Sequence, residues 1–187
     1  DLIHAHFGTW AGYAARLVYK WYKIPYVITE HASSINGNQT TPSQAVILKK
    51  AYSEARKIIC VGTKLKRSLC AYVSDPDKVT VIPNFVDTNT FAFSPHRTEK
   101  EKHFTFISIG NLNKRKGFWD LLTAFHWAFK DMPHVSLIIA GDGEEMQSLK
   151  DQIQSLHLQE QVKLTGRLSR EELSGLLGTC DAFVLAS

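Results

Sequence analysis

Two stretches combine glycine with polar or charged residues where a strand gives way to a helix. In the first, Phe104-Thr-Phe-Ile-Ser-Ile-Gly110 runs into Asn111-Leu-Asn-Lys-Arg-Lys116-Gly117, and an apolar-periodic segment opens at Phe118. A strand, a glycine turn and a helix start bring free main-chain N–H groups and the positive end of a helix dipole together. Lys114, Arg115 and Lys116 add charge-assisted donors. Such a turn can hold a pyrophosphate at the carboxyl edge of a parallel sheet. A solvated basic turn would read the same way, and these residues alone leave both readings open. The second stretch is Ala140-Gly141-Asp142-Gly143. Its glycines permit unusual backbone angles or close approach of a ligand, although Gly-Asp-Gly also makes ordinary turns.

The first half holds a histidine cluster. His4 and His6 are two residues apart on a strand and share a face. A metal site would need further ligands, and no Cys or acidic residue is suitably spaced nearby. No metal is therefore expected. Thr29-Glu30-His31 ends the next strand and leads into the polar loop from Ala32 to Thr41. A His at a strand's carboxyl end can orient a substrate hydroxyl or share a proton. A structural, hydrogen-bonding His fits equally well.

The elements that must position these residues form a repeating pattern. Short, continuous, β-branched runs alternate with amphipathic segments, which suits parallel strands buried on both faces and right-handed βαβ units. Expected strands are Leu2–His6, Tyr26–Glu30, Lys57–Val61, Val79–Pro83, Phe104–Gly110, Val135–Gly141, Val162–Thr165 and Ala182–Leu185. Thr41-Pro42-Ser43-Gln44 reads as a capping box with Pro at the first helical position. Ile47, Leu48, Ala51, Tyr52 and Ala55 then make one stripe. Phe118, Leu121, Leu122, Phe125 and Phe129 make another, and Ser169 with Glu172 caps a third helix before Leu173, Leu176 and Leu177. The charged, aperiodic segment from Phe91 to His103 reads as a linker between two α/β domains, giving residues 1–91, a linker at 92–103, and residues 104–187.

Composition narrows the class. At 187 residues, with 44% hydrophobic and 21% charged residues, the chain is an ordinary globular one rather than a disordered one. No run approaches the ~20 apolar residues of a membrane span, and no signal segment opens the chain. Asp1 leads almost directly into a strand without an initiator Met, which reads as a piece of something longer. Cys60, Cys70 and Cys180 form no C-x-x-C pair and suit a reducing compartment as small apolar groups. The net charge of +4 is mild but uneven: Lys49, Lys50, Arg56, Lys57, Lys64, Lys66 and Arg67 crowd one part of the first half. They form either a solvated helix surface or a face resting on anionic lipid or an anionic acceptor. Nucleic acid is not expected, because no recognition motif accompanies the charge.

Taken in order, these pieces resemble the group 1 glycosyltransferases, or glycosyltransferase family 4, over nearly the whole chain. The matching segments are His4-Ala-His6, Ile28-Thr-Glu-His31, the Val61-to-Leu69 stretch, and Val81-Ile-Pro-Asn-Phe-Val-Asp87 with Phe91. Ile109-Gly-Asn-Leu with Lys116-Gly117, Ile139-Ala-Gly-Asp-Gly143, Leu164-Thr-Gly166 and Ala182-Phe-Val-Leu-Ala-Ser187 follow. Each piece is common by itself; eight in order are specific.

The resemblance implies a GT-B fold, α/β with two facing Rossmann-like domains, and transfer of a sugar from a nucleotide-diphospho-sugar to an acceptor hydroxyl with retention. Lys116 matches the family lysine that contacts the donor diphosphate, and His31 the histidine that faces the transferred sugar. Gly166, Arg167 and Leu168 fall where main-chain groups contact the nucleobase. The expected donor-binding set is thus Gly110, Asn111, Arg115, Lys116, Gly141, Gly166, Arg167 and Leu168. His31 is the catalytic candidate, without a general-base assignment. No metal or cofactor is implied. The Pro83-Asn84 turn is expected to shape a hinge rather than touch substrate.

Two departures stand out. Many members carry Arg where this chain has Asn111, which brings no charge to a phosphate; Arg115 is the expected substitute. The family normally continues after a segment like Leu185-Ala186-Ser187 with two Glu residues separated by seven. On that reading each domain is present in part, and the chain by itself is expected to be inactive. Expected partners are a nucleotide-sugar donor, a glycan or lipid-linked acceptor and an anionic membrane surface, with the protein cytoplasmic or peripheral on the inner membrane face. The rival reading is a non-catalytic nucleotide-sugar-binding subunit. An epimerase of the same fold would show its own acidic and His residues, a pattern not present here.

Overall fold

The structure is a computed structural model that describes residues 1–36, 40–92 and 103–187. It divides into two compact units, Asp1–Phe85 and Val86–Ser187. Most of the segment read as a linker, and the centre of the Ala32–Thr41 loop, lie outside the described residues.

The first unit is a parallel sheet in the order β1-β2-β3-β4, formed by β1 (Ile3–His6), β2 (Tyr26–Glu30), β3 (Lys57–Cys60) and β4 (Val79–Val81). Helices α1 (Trp10–Tyr22), α3 (Pro42–Ser53) and α4 (Thr63–Leu69) connect the strands, with a short helical turn, α2 (Ser33–Asn36), inside the loop read as irregular. The α3 stripe supplies Leu48, Ala51 and Tyr52 to a core that also holds Tyr26, Ile28 and Ile58. Both halves of the Thr41–Gln44 capping box form. β4 is shorter than expected. The Ile82 N–H still donates to the Cys60 carbonyl at 3.0 Å, and Pro83 follows with its missing N–H on the open edge of the sheet, where proline is tolerated.

The second unit is a parallel sheet in the order β7-β6-β5-β8. Its strands are β5 (Phe104–Ile109), β6 (Val135–Ala140), β7 (Val162–Gly166) and β8 (Ala182–Phe183). Between them run α5 (Phe118–Phe129), α6 (Met146–Ser155) and α7 (Arg170–Leu177). The chain steps outward from β5 to β7 and then returns to the other side of β5. That reversal opens a crevice at the carboxyl ends of the strands, where open α/β sheets take their ligands. Phe118, Leu121, Leu122 and Phe125 of α5 are buried as their spacing predicts. The Ser169–Glu172 capping box forms, although Leu173, Leu176 and Leu177 are only half-buried. β8 is also shorter than expected. The Val184 N–H reaches the Ile107 carbonyl at 2.9 Å; beyond it the chain leaves the ladder and Ala186 lies against Gly117.

Candidate functional site

The carboxyl ends of β5, β6 and β7 enclose a cavity of about 410 Å³. Gly110 and Asn111 line one side, Gly141 and Asp142 the next, and Arg167, Leu168 and Leu173 the third, over a floor of Ile109 and Ala140. Five of the expected donor residues, Gly110, Asn111, Gly141, Arg167 and Leu168, therefore meet at one place. Gly166 borders it: its carbonyl accepts the Gly141 N–H at 2.9 Å, and its own φ of 74° is left-handed.

The two glycine turns are fastened to each other. The Gly110 N–H donates to the Ala140 carbonyl at 3.0 Å, the Leu112 N–H to the Asp142 carbonyl at 2.9 Å, and the Glu145 N–H to the Leu112 carbonyl at 3.0 Å. Gly141 has φ 146°, and a β-carbon there would stand 3.0 Å from the carbonyl carbon of Gly110 and nearer still to its oxygen. Gly143 has φ 158°, and its β-carbon would meet the Leu112 carbonyl oxygen at 2.5 Å and Asn111 Oδ1 at 2.8 Å. Asn111 thus leans over the second turn.

Lys114–Lys116 form a single 3-10 turn ending in Gly117, whose φ of 65° is left-handed. This turn stands at the switch point of the sheet, since a β-carbon on Gly117 would lie 2.5 Å from the Ala186 carbonyl oxygen after β8. Arg115 is exposed and Lys116 half-buried, and neither lines the cavity. The Lys116 stem passes Gly110, with Cδ 3.9 Å from where a Gly110 β-carbon would sit. No described residue pairs with the Lys116 ammonium. The first turn of α5 leaves N–H groups directed at the same edge. Cation, helix end and concavity are adjacent, an arrangement able to take a phosphate chain.

The histidines of the first unit gather at the carboxyl edge of β1 and β2. The His4 and His6 rings lie 4.6 Å apart, on the common face that their spacing dictates. His6 Nδ1 and His31 Nε2 share a hydrogen bond of 3.2 Å between rings stacked at 5.4 Å, and Phe7 flanks His31 at 5.6 Å. His4 Nε2 is bonded to Thr29 Oγ1 at 2.7 Å. Among the described residues no group of three or more His, Cys, Asp or Glu could hold a metal ion.

Behind this edge lies a carboxylate that the sequence reading passed over. Glu30 is 0% exposed. Its Oε1 accepts the N–H groups of His31 at 3.0 Å and Ala32 at 2.9 Å, and its Oε2 accepts the Gly8 N–H at 2.8 Å and the Tyr52 hydroxyl at 2.6 Å. Burial, then the Glu30 charge and its hydrogen bond, push the Tyr52 phenol far above its ordinary pKa. The signal was available. Tyr26, Ile28 and Glu30 alternate onto one face of β2, and an acid on a core face must be satisfied by donors. Asp142 and Leu173 were likewise missed as cavity residues, one read as a turn residue and the other as part of a helix stripe.

The chain matches two family models end to end: "Glycosyltransferase Family 4" over residues 1–90 and "Glycosyl transferases group 1" over residues 90–187. It is 25% identical over its full length to alpha-monoglucosyldiacylglycerol synthase of Streptococcus pneumoniae, covering 46% of that protein. It is 27% identical, again over its full length, to an Escherichia coli UDP-Gal:alpha-D-GlcNAc-diphosphoundecaprenol alpha-1,3-galactosyltransferase, covering 52%. The chain thus spans about half the length of these relatives. Among solved structures, Anabaena Alr3699/HepE in complex with UDP superimposes with a TM-score of 0.83 at 21% identity, over 98% of this chain and 52% of the other. Two parallel α/β units in this likeness are those of a GT-B fold, and the chain belongs to the group 1 glycosyltransferases.

Proposed function

We propose that this chain contributes to a retaining glycosyltransferase that moves a sugar from a nucleotide-diphospho-sugar to an acceptor hydroxyl in surface polysaccharide or glycolipid synthesis. The observation that carries the reading is the cavity walled by Gly110, Asn111, Gly141, Arg167 and Leu168, with Lys116 beside Gly110. The nucleobase lies by Gly166, Arg167 and Leu168, and the diphosphate extends toward Lys116. Negative charge growing on the departing diphosphate is met by the Lys116 ammonium and the N–H groups opening α5, so the reaction needs no metal. Arg115 supplies the charge that Asn111 lacks. His31 holds the transferred sugar through its ring.

The half-length match to relatives supports the view that this chain alone is inactive and that the whole protein carries further donor contacts. Relatives named as an alpha-monoglucosyldiacylglycerol synthase and as a galactosyltransferase for alpha-D-GlcNAc-diphosphoundecaprenol support a glycan or lipid-linked acceptor. No described helix is long and apolar enough to cross a membrane. A cytoplasmic protein that rests its basic first half on an anionic membrane face accounts for Lys49, Lys50, Lys64 and Arg67, all exposed.

The rival is a nucleotide-sugar-binding subunit without turnover, favoured by Asn111 in place of Arg. The deciding experiment expresses the whole protein and assays a panel of nucleotide sugars for transfer and donor hydrolysis, alongside calorimetric binding. Turnover establishes the enzyme. Binding without turnover establishes the rival, and binding of no nucleotide sugar ends both.

A further inference from the structure

The Glu30 carboxylate draws together three segments that are distant in sequence. Two of its four hydrogen bonds hold the main chain of His31 and Ala32, where β2 ends. A third holds Gly8 in the turn after β1, where Phe7 has a left-handed φ of 70°. The fourth comes from Tyr52 on α3. The fit is tight at Gly8, where a β-carbon would stand 2.6 Å from Tyr52 Cε1, so only glycine lets that phenol reach the carboxylate. From the end of β1 and the turn after it, His6 and Phe7 reach forward to grip the His31 ring, His6 at 3.2 Å and Phe7 at 5.6 Å. Main chain behind and rings in front fix the imidazole, while no described residue engages its Nδ1.

All four groups on Glu30 are donors, and they occupy both oxygens. An acceptor-only group suits this nest: a glutamine that keeps its oxygen on the His31 and Ala32 N–H groups turns its NH₂ onto the Gly8 N–H, even with the Tyr52 hydroxyl rotated to accept. The Phe7–Gly8 turn, whose Phe7 flanks the His31 ring, would then have to shift.

We propose that Glu30 is a positioning residue for the transfer step: it sets the His31 main chain and the Phe7–Gly8 turn so that the His31 imidazole is presented preformed to the sugar. The inference rests on the reading of His31 as the residue that holds the transferred sugar. Glu30 is buried and touches no substrate; it acts through His31. Misplacing a positioning group by about 1 Å costs up to about a hundredfold in rate, and binding of the nucleotide, which involves the other unit, is untouched.

The test is a double-mutant cycle in the whole protein, with kcat and donor KM measured for Glu30→Gln, His31→Ala and the pair. The expected result is a fall in kcat of at least about tenfold for Glu30→Gln with donor KM held within about twofold, and no further loss when Glu30→Gln is added to His31→Ala. Tyr52→Phe, which keeps three of the four donors, covers the case in which Glu30→Gln does not fold. It lowers kcat by about threefold alone and has no effect in the His31→Ala background. If His31→Ala slows the enzyme but the losses multiply in either double variant, Glu30 is only a structural residue and the inference is overturned. If His31→Ala turns over like the parent, the reading of His31 itself fails, and the positioning role falls with it.

Discussion

The carbonyl oxygen of Gly110 occupies the space that a β-carbon on Gly141 would need. Two strand-end turns, thirty-one positions apart by residue number (110 and 141), are thereby locked at van der Waals contact. The cavity at the carboxyl ends of β5, β6 and β7 is built over that contact.

Gly141→Ala therefore meets both a collision and a φ of 146° that an L side chain avoids. The expected loss is about 2–4 kcal/mol of stability, read as a lower urea midpoint of the whole protein. Nucleotide binding falls with it, because the turns must part. A variant as stable as the parent would mean that the two turns are not packed as described.

Lys116→Ala is expected to weaken donor binding roughly ten- to hundredfold, the worth of one charge-assisted contact of about 1.5–3 kcal/mol. Arg115, exposed and outside the cavity, contributes less: Arg115→Ala weakens donor binding no more than about fivefold, and added salt erases the difference. Calorimetric titration with the donor reads both. Unaltered affinity in Arg115→Ala removes it as the substitute for the missing Arg, and unaltered affinity in Lys116→Ala removes the phosphate cradle.

Two buried phenols predict the alkaline limit of the first unit. Burial, then the Glu54 charge, raises the Tyr26 pKa; burial, then Glu30, raises that of Tyr52. A folded pKa above the unfolded value near 10 leaves stability intact below about pH 10 and erodes it as the pH climbs further. Melting temperature followed between pH 8 and about 11.5 should fall more gently in Tyr26→Phe, although that variant starts lower for want of the 2.6 Å bond to the Ala51 carbonyl. Parallel curves would remove Tyr26 from the alkaline transition.

The basic first half makes a prediction at the membrane. The whole protein should co-sediment with phosphatidylglycerol vesicles at low salt and be released near 0.5 M NaCl, where the screening length shrinks to roughly 4–5 Å. Reversing two exposed charges, Lys49→Glu with Lys50→Glu, should weaken that binding by about tenfold or more, at roughly 1 kcal/mol per neutralised residue. Equal retention on neutral vesicles would show that charge is not the attraction.

The sheets were legible because their signal is local. Runs such as Phe104–Ile109 and Val135–Ala140 can only be strands covered on both sides, and the glycine turns after them mark their carboxyl ends. Capping boxes at Thr41 and Ser169 were legible for the same reason, since cap and partner lie three residues apart. Glu30 was not, because its donors Gly8 and Tyr52 each lie twenty-two residues away. The one local sign, its place with Tyr26 and Ile28 on the core face of β2, says that Glu30 needs donors but not where they come from. Leu173 was misjudged for a related reason. Its helix stripe is the same whether a leucine faces a core or the wall of a cavity, and only the third dimension decides.

The interlocked glycine turns also say where the family can diversify. A wall held by Gly110, Leu112, Gly141 and Gly143 tolerates neither insertion nor bulk, so a nucleotide seated there as proposed meets a fixed bed. The opposite wall, with Arg167 exposed and Leu168 and Leu173 half-covered at the mouth of α7, is under no such constraint. With the nucleobase placed there as proposed, base preference is free to drift by simple side-chain exchange, and an engineer wishing to change it should leave the glycines alone.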